Sequence, residues 1–296
     1  MPATNRPDTL NRCRDAFLRG ASQPDEIILV CEPANANAAA ARNIGAQRAA
    51  GDVLLFVDSD VEVYGDAVAR IRASFDADPD LVALFGSYDD SPAAPGVASV
   101  FRNLLHHHVH QSSPGTTTTF WTGLGAVRRD AFERVGGFDE SVQFMEDIDL
   151  GMRLAVDGAR IVLDPDVLGT HLKHWSLWSM VRTDFAARGI PWVRLLLRHK
   201  HSAGTLNLSW RHRFSAVASI VGLGAVASGR PRLALASGAA LVGLNRKFYL
   251  LLLRRRGPFE AGVGVGLHAL HHLAGAAAVP PAVVLHLRDE FVRRHA

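Results

Sequence analysis

Two aspartates, Asp58 and Asp60, stand one residue apart directly after five apolar residues at positions 53–57. This apolar run is too short for a helix that must bury itself, but it has the length of a buried strand in a parallel sheet. In such sheets, ligands bind at the carboxyl ends of the strands. Two carboxylates on one face of an extended chain can bind a hard divalent cation, which can in turn bind a diphosphate. The alternative for an isolated pair is a solvated turn.

Other charged residues occupy the predicted starts of helices. Glu146 and Asp147 precede a helical pattern at residues 148–156, where acids commonly complement the helix dipole. Arg42 lies near the start of a helix predicted at residues 38–49. There it could stack on a nucleotide base or bind a phosphate, and an ordinary surface arginine is the alternative.

The elements that would position these residues alternate between strand and helix. A first helix begins at Asp8 or Thr9 and ends near residue 18. Strands and helices then follow in turn. This alternation predicts an α/β, Rossmann-like fold whose mostly parallel sheet has helices on both faces. The further predicted segments are strands at 27–31, 53–57, 81–85 and 161–163 and helices at 38–49, 66–75 and 148–156.

Several short motifs occur in a characteristic order within residues 1–195. The first part contains Asn-Arg-Pro-Asp-Thr-Leu, Asp-Glu-Ile-Ile-Leu-Val, Ala-Ala-Arg-Asn-Ile-Gly-Ala and Gly-Asp-Val-Leu-Leu-Phe-Val-Asp-Ser-Asp. The second part contains Phe-Trp-Thr-Gly-Leu-Gly-Ala at 120–126, Gly-Gly-Phe-Asp at 136–139 and Glu-Asp at 146–147. Each motif is short, but together and in this order they resemble a family 2 glycosyltransferase of the GT-A fold.

The resemblance implies a metal-dependent inverting glycosyltransferase that moves a sugar from a nucleotide-sugar donor to an acceptor hydroxyl. In that reaction Asp147 would be the catalytic base, and Glu146 would orient Asp147 or the acceptor. Mg²⁺ or Mn²⁺ would be bound by Asp58 and Asp60, with His171 as a third ligand. Asp60 would bind the metal directly, whereas Asp58 would contact the ribose or reach the metal through water.

The same resemblance implies a set of donor-binding residues. Gly123 and Gly125 would let the backbone approach the donor sugar, and Glu32 stands where the family usually has an aspartate that contacts the uracil or ribose. Lys173 or His174 could meet the diphosphate in place of a metal-binding role for His171. The full predicted donor-binding set is Glu32, Arg42, Asp58, Asp60, Gly123 and Gly125.

The beginning of the chain departs from the family pattern. Met1 lies inside the loop that follows the first strand of the family, so that strand is expected to be lacking. A neighbouring strand would then have an unpaired edge, which favours aggregation.

Composition changes in the last third of the chain, which predicts a GT-A domain at 1–205 and an apolar helical, membrane-associated region at 206–296. Gly and Ala are frequent there, as in helices that pack closely in lipid. Two or three membrane or re-entrant helices are expected, and a soluble helical subdomain is the alternative. The apolar segments are 214–228, 233–244, 248–253 and 261–287, and basic clusters lie at 211–213, 230–232 and 254–256.

Charge and cysteine content indicate compartment and partners. Cys13 and Cys31 are too few for a disulfide framework, and no apolar signal segment lies near Met1. Together with the basic clusters, this favours the cytoplasmic face of the cell membrane. The basic residues lack the aromatic interleaving of nucleic-acid-binding proteins, so nucleic acid is not an expected partner.

The expected partners are a nucleotide-sugar donor, a glycan or lipid-linked acceptor and a membrane. Two other functions have to be weighed. A non-catalytic membrane-bound scaffold is suggested by Glu32 and the lacking first strand, whereas Asp58, Asp60 and Asp147 argue against it. A nucleotidyltransferase would share the sheet and the metal carboxylates, but it leaves the Gly-Gly-Phe-Asp and Glu-Asp motifs unexplained.

Overall fold

The structure is a computed structural model that describes residues 1–199 and 209–295. The chain divides into two compact units: the first comprises Met1–Ala94 and Val109–Lys173, and the second Pro95–His108 and His174–Ala296. The predicted domain boundary between residues 205 and 206 lies outside the described residues and stays a prediction.

The first unit consists of short strands and helices in alternation. Its strands are β1 (Val53–Val57), β2 (Val61–Val63), β3 (Leu81–Tyr88), β4 (Gly115–Thr117), β5 (Leu124–Arg128) and β6 (Arg160–His171). Helices of this part of the chain are α1 (Leu10–Arg19), α2 (Ala38–Arg48), α3 (Ala67–Ala77), α4 (Val97–Gln111), α5 (Arg129–Arg134) and α6 (Glu146–Val156), and α4 contributes residues to both units.

The strands form one sheet in the order β1-β5-β3-β6-β2, with β4 also paired to β6. Among the paired strands of the described residues, β3 and β6 pair in parallel, and the other pairings are antiparallel. The predicted α/β class is confirmed, but the sheet is mixed instead of mostly parallel, because β5 runs antiparallel between β1 and β3. Its pairing with both neighbours could not be read from the order of elements along the chain.

Strand direction determines where the ends of the strands meet. Because β5 is antiparallel to both β1 and β3, and β6 is parallel to β3, the strands β1, β3 and β6 all point the same way. Their carboxyl ends and the amino end of β5 therefore lie along one edge of the sheet. That edge carries Asp58, Tyr88, His171 and Gly123.

The core beneath this edge is apolar, as the runs of hydrophobic residues in the strands require. Buried side chains from β1, β3 and β5 pack with the apolar face of α3, which includes Ile71 and Phe75. Leu84, Leu124 and Ala126 are almost completely buried in the same cluster. Burial of this kind stabilises the sheet by roughly 25 cal/mol per Å² of apolar surface removed from water.

The beginning of the chain pairs with the segment predicted as a strand at 27–31. Ala3 N–H donates to Val30 O over 2.9 Å, and Val30 N–H donates to Met1 O over 3.1 Å. This bridge between Pro2 and Val30 is parallel and isolated, so the predicted strand is reduced to one bridged residue. Ile28 of this segment and Leu54 of β1 both line a cavity of about 460 Å³.

The described residues of the second unit consist of helices joined by short connections. Asn245 Nδ2 donates to Ser215 Oγ over 2.8 Å in one of its buried interhelical contacts. Gly257, at φ +84°, breaks the regular helix immediately before Pro258. The remaining elements are α7 (Leu177–Arg182), a π-helical segment (Thr183–Gly189), α8 (Ile190–His199), α9 (Trp210–Ala227), α10 (Pro231–Leu244), α11 (Arg246–Ala277) and α12 (Val279–His295).

One helical stretch in the described residues, Arg246–Arg293, is long and apolar enough to cross a membrane by length and composition. Helix α10 is apolar but shorter. The helices of the second unit also expose many large apolar side chains, which is uncommon for a soluble surface. Among those at least half exposed are Phe214, Val217, Leu223, Val226, Leu235, Phe259, Val284, Leu287, Phe291 and Val292.

Candidate active site

Asp58 and Asp60 lie in a tight turn at the end of β1. Asp58 N–H donates to Gly123 O over 3.3 Å, Val61 N–H donates to Asp58 O over 3.1 Å, and Leu172 N–H donates to Asp60 O over 2.8 Å. The extended geometry that the sequence suggested is therefore replaced by a turn tied to two neighbouring segments. Both carboxylates remain about a third exposed, at 32% for Asp58 and 29% for Asp60, so each can reach a ligand.

Arg42 joins this turn to the acidic pair at 146–147. Its guanidinium is buried on α2, donates to Asp58 Oδ1 over 2.7 Å and forms a second, shorter ion pair with Glu146. Burial opposes its charge, but the carboxylates of Asp58 and Glu146 outweigh burial and raise the pKa of Arg42. Arg42 also lies 5.6 Å from the ring centroid of Phe138. It is therefore not the surface arginine that the sequence left as an alternative.

The acidic pair begins helix α6 directly after a strained residue. Met145 adopts a left-handed conformation with φ +67°, which is rare for a residue with a side chain. Such strain costs roughly 1–3 kcal/mol and persists where the surrounding structure enforces it, often at functional sites. Asp149 N–H donates to Met145 O over 3.0 Å, so the strained residue forms part of the first helical turn. Glu146 and Asp147 are thereby fixed in direction by the backbone.

The carboxylate of Asp147 accepts backbone hydrogen bonds and is partly accessible. Ile148 N–H donates to Oδ1 over 2.8 Å, and Thr122 N–H lies 3.5 Å from Oδ2. Burial, followed by the negative charge of Glu146, raises the pKa of Asp147 to about 7, although Arg42 acts in the opposite direction. A general base is most effective when its pKa is near the working pH. The environment of Asp147 therefore suits proton abstraction at neutral pH.

His171, at the end of β6, lies beside Asp60. Its Nε2 is 3.6 Å from Asp60 Oδ2, and its ring stacks on Tyr88 with the centroids 4.3 Å apart. Burial tends to raise the pKa of Asp60, but the hydrogen bond and charge of His171, with the charge of Lys173, bring it below the ordinary value. An ionised carboxylate next to an imidazole held by stacking is a suitable pair of metal ligands.

Asp60 and His171 lie 3.6 Å apart, and Asp58, which pairs with Arg42, stands two residues before Asp60. Two carboxylates fit Mg²⁺ or Mn²⁺, which prefer oxygen ligands and leave positions for phosphate. The partial exposure of both carboxylates leaves them open toward solvent, as a metal that also binds substrate requires. The residues present therefore fit such a metal, and their assignment as its ligands stays a prediction.

Two glycines predicted to approach the donor are packed against neighbouring side chains. A side chain at Gly125 would lie 2.3 Å from Trp121 O, and one at Gly123 would lie 2.1 Å from the Trp121 ring. Gly125 is also paired with Phe56 and Phe85 inside the sheet. Close packing accounts for both glycines, and their approach to a donor sugar stays a prediction.

The other donor-binding prediction lies apart from these contacts. Glu32 is exposed and pairs with Arg6 over 2.9 Å at the surface. No described contact joins it to Arg42 or to the acidic turn, so its donor-binding role also stays a prediction.

The sequence did not identify the residues that hold the site together. Asn43 Nδ2 donates to Phe138 O and to Glu140 Oε1, and Phe138 N–H donates to Asn43 Oδ1, each over 2.9 Å. These bonds tie α2 to the loop that leads toward α6. Tyr88, which stacks on His171, was also missed. Its position at the carboxyl end of β3 was the available signal, since β1 and β3 end at the same edge.

The fold and the arrangement of charged residues define the class of the first unit. A mixed sheet flanked by helices, an Asp-x-Asp turn at a strand end and an acidic pair at a helix start are features of a GT-A fold. The family model of glycosyl transferase family 2 matches residues 31–136, so this part of the chain is similar to that family. The match includes Arg42, Asp58, Asp60, Gly123 and Gly125.

Among the known proteins that are similar to this chain are two glycosyltransferases. The pre-mycofactocin glycosyltransferase of Mycobacterium tuberculosis is 28% identical over 201 residues, which is 62% of this chain and 40% of that protein. The chain thus spans less than half the length of this relative. The mannosyltransferase PcManGT from Pyrobaculum calidifontis was solved in complex with GDP-Man and Mn²⁺. Its structure aligns with 97% of this chain and 86% of the PcManGT chain, with a TM-score of 0.52 and 18% sequence identity. At that identity the structural likeness shows the fold alone.

Proposed function

We propose that the protein is a metal-dependent inverting glycosyltransferase that moves a sugar from a nucleotide-sugar donor to an acceptor hydroxyl. The observation that carries this proposal is the placement of Arg42 between Asp58 and Glu146. This bridge connects the turn that would bind the metal with the helix start that carries Asp147. A single buried arginine thereby couples the leaving-group side of the site to the catalytic base.

The donor side of the site would bind the negatively charged diphosphate of the donor. Asp58, Asp60 and His171 would hold Mg²⁺ or Mn²⁺, and a bound divalent metal would neutralise the charge that develops on the leaving diphosphate. His171 is kept in place by Tyr88, and Lys173 adds a positive charge close enough to lower the pKa of Asp60. These residues would position the diphosphate of the donor.

Asp147 would act on the acceptor side. Its carboxylate would take the proton of the acceptor hydroxyl as the new bond forms between that oxygen and the anomeric carbon. The bond from the anomeric carbon to the diphosphate breaks in the same displacement, and the electron pair leaves with the diphosphate. One base on the face opposite the leaving group leads to in-line displacement with inversion. Glu146, held by Arg42, keeps the start of α6 oriented.

The partners of the reaction follow from the same proposal. A nucleotide-sugar donor agrees with the GDP-Man present in PcManGT, and a glycosyltransferase activity agrees with the name of the mycobacterial relative. The acceptor is a glycan or a lipid-linked glycan, and the enzyme would act at the cytoplasmic face of the cell membrane. Support for the membrane comes from the apolar stretch Arg246–Arg293 and the exposed apolar side chains of the second unit.

Calorimetric titration of the detergent-solubilised chain with UDP and with GDP, with and without Mn²⁺, tests donor binding. We expect one nucleotide to bind only when the metal is present, and Asp60→Ala to weaken this binding at least about tenfold because a metal ligand is lost. The control Asp130→Ala removes an exposed carboxylate of α5 and should leave binding unchanged.

The same titration separates the transferase from a non-catalytic scaffold. A folded wild-type chain that binds neither nucleotide at millimolar concentration with Mn²⁺ would favour the scaffold. Equal metal-dependent binding by wild type and Asp60→Ala would contradict the assignment of Asp60 as a metal ligand.

A further inference from the structure

A cluster of three histidines lies in the second unit, outside the site described above. His212 belongs to α9, and His271 and His272 belong to α11. One ring nitrogen from each lies within 4.8 Å of the others. The ring centroids of His212 and His272 are 4.8 Å apart, and those of His271 and His272 are 5.3 Å apart. Two helices separated in sequence thus bring three imidazoles to one point.

Two of these imidazoles have buried nitrogens without a hydrogen-bond partner. The Nε2 atoms of His212 and His272 are both buried, and neither forms a hydrogen bond with any of the described residues. Buried polar atoms are nearly always satisfied, because leaving one unpaired costs roughly 1–3 kcal/mol. Two unpaired nitrogens in one cluster therefore point to a group that would bind both. A cation that takes imidazole ligands meets this requirement.

The third histidine is oriented by a buried carboxylate. His271 Nδ1 lies 2.9 Å from Asp184 Oδ2, and the other oxygen of Asp184 accepts from Arg102 over 2.7 Å. A carboxylate that accepts from one imidazole nitrogen fixes the ring and leaves the opposite nitrogen free to bind a metal. Asp184 is almost completely buried, so its position is well defined. This contact occupies Nδ1 of His271 and leaves its Nε2 as the nitrogen available to a ligand.

We propose that His212, His271 and His272 bind one Zn²⁺ ion. Imidazole nitrogens suit zinc, whereas Mg²⁺ prefers oxygen ligands, so this site differs in chemistry from the acidic turn of the first unit. Three protein ligands leave a fourth position for water or another small ligand. The ion would tie α9 to α11, and Asp184 would act as a positioning residue for His271. This proposal is independent of the proposed transferase activity.

Metal binding can be measured directly on the full chain in detergent. After the protein is stripped with a chelator, Zn²⁺ is titrated in competition with a chromophoric chelator. Wild type and Asp60→Ala should both bind one Zn²⁺ ion, because Asp60 belongs to the other site. We expect His212→Gln and His272→Gln to lose at least 100-fold in Zn²⁺ affinity. His295→Gln, an exposed histidine of α12, is the control and should match wild type.

Two further measurements distinguish a metal site from a packed histidine cluster. Co²⁺ bound in place of zinc should give the intense visible absorption of a four- or five-coordinate ion in wild type and lose it in His212→Gln. Asp184→Asn should weaken Zn²⁺ binding about 10–100-fold, as expected for a carboxylate that orients a ligand. A purely structural role of Asp184 would instead lower the Tm of the metal-free chain and leave Zn²⁺ affinity unchanged.

The proposal is overturned if wild type binds Zn²⁺ no more tightly than the folded His212→Gln variant. It is also overturned if Zn²⁺ raises the Tm of both proteins equally. His212 is half-buried, whereas His272 is almost fully buried, so the His212 variant keeps the test valid if replacement of His272 prevents folding.

Discussion

Arg42 resolves an electrostatic conflict among the acids of the candidate active site. Asp58, Glu146 and Asp147 are all close enough to interact with its charge. Carboxylates gathered without a cation would repel one another and favour their protonated forms. The arginine forms ion pairs with Asp58 and Glu146, whereas burial and the charge of Glu146 raise the pKa of Asp147 to about 7. One arginine thereby offsets the negative charge of two carboxylates next to the raised pKa of Asp147.

Asp147→Asn tests the catalytic base. The amide keeps the shape of the side chain and can still accept the Ile148 hydrogen bond, but it cannot take a proton. We expect kcat to fall about 10²–10⁴-fold, the usual contribution of general base catalysis, while metal-dependent nucleotide binding stays within about twofold of wild type. The rate of sugar transfer from the nucleotide-sugar donor to an acceptor gives kcat, and calorimetry measures nucleotide binding. Equal loss of binding and transfer would show that Asp147 supports the fold of the site instead.

The raised pKa of Asp147 predicts how transfer depends on pH. The base acts only when ionised, so kcat/KM should rise with pH through a midpoint near 7 and level off above it. Glu146→Gln removes a neighbouring negative charge that helps to raise this pKa, so the midpoint should move to lower pH in that variant. A profile that stays flat between pH 5 and 8 in wild type would contradict the assignment.

At the scale of elements, the sequence predicted the positions of helices and strands better than the pairing of strands in the sheet. Residues 53–57 form β1 as predicted, and the helix predicted at 38–49 is α2 at Ala38–Arg48. These elements are determined by local apolar pattern and capping. The insertion of β5 between β1 and β3 was not predictable, since strand order depends on contacts between segments far apart in the chain. For the same reason, Arg42 could be proposed as a phosphate ligand but not as a bridge between Asp58 and Glu146.

Asn43→Ala tests how α2 and the loop before α6 are held together. The variant loses three hydrogen bonds with Phe138 and Glu140, and the Phe138 backbone N–H and C=O are left without those partners. We expect the free energy of unfolding to fall by about 1–3 kcal/mol. Because Arg42 is the adjacent residue, metal-dependent nucleotide binding should weaken as well.

Denaturant unfolding and nucleotide titration measure these two effects of Asn43→Ala. The control Asn11→Ala changes an exposed asparagine of α1 and should leave both quantities unchanged. A variant with wild-type stability would show that water replaces the lost bonds without penalty.

At the scale of the whole molecule, the two units differ in the surfaces that they present. Few large apolar side chains of the first unit are exposed, whereas the helices of the second expose many, such as Leu235, at 74%, and Phe259, at 77%. Exposed apolar groups of this number favour a membrane or a partner over bulk water. The sequence indicated this surface through the apolar composition after residue 206. It could not indicate the histidine cluster, because its members come from α9 and α11 and meet only in the folded chain.

Vesicle flotation of the full chain tests the proposed membrane association. If apolar faces of α9 and α10 enter the lipid, wild type should float with vesicles and stay bound in 1 M salt. At that salt concentration, electrostatic attraction to the lipid surface is screened within roughly 3 Å. Leu223→Glu with Leu235→Glu places two charges on those faces. Each charged residue in the hydrocarbon costs about 3 kcal/mol, so partitioning should fall at least about 100-fold.

A matched change in the first unit serves as the control for this experiment. Leu18 of α1 is also exposed, at 52%, but lies outside the apolar helical region, so Leu18→Glu should float as wild type does. Release of wild type by salt alone would show that the basic clusters bind the membrane surface. The exposed apolar faces would then be available to a protein partner. Because the second unit would then remain in water, its exposed leucines should make the chain self-associate when detergent is removed. Persistent flotation in salt that is lost only in the double variant would instead establish that the apolar helices enter the lipid and hold the enzyme at the membrane, where a lipid-linked acceptor would be available.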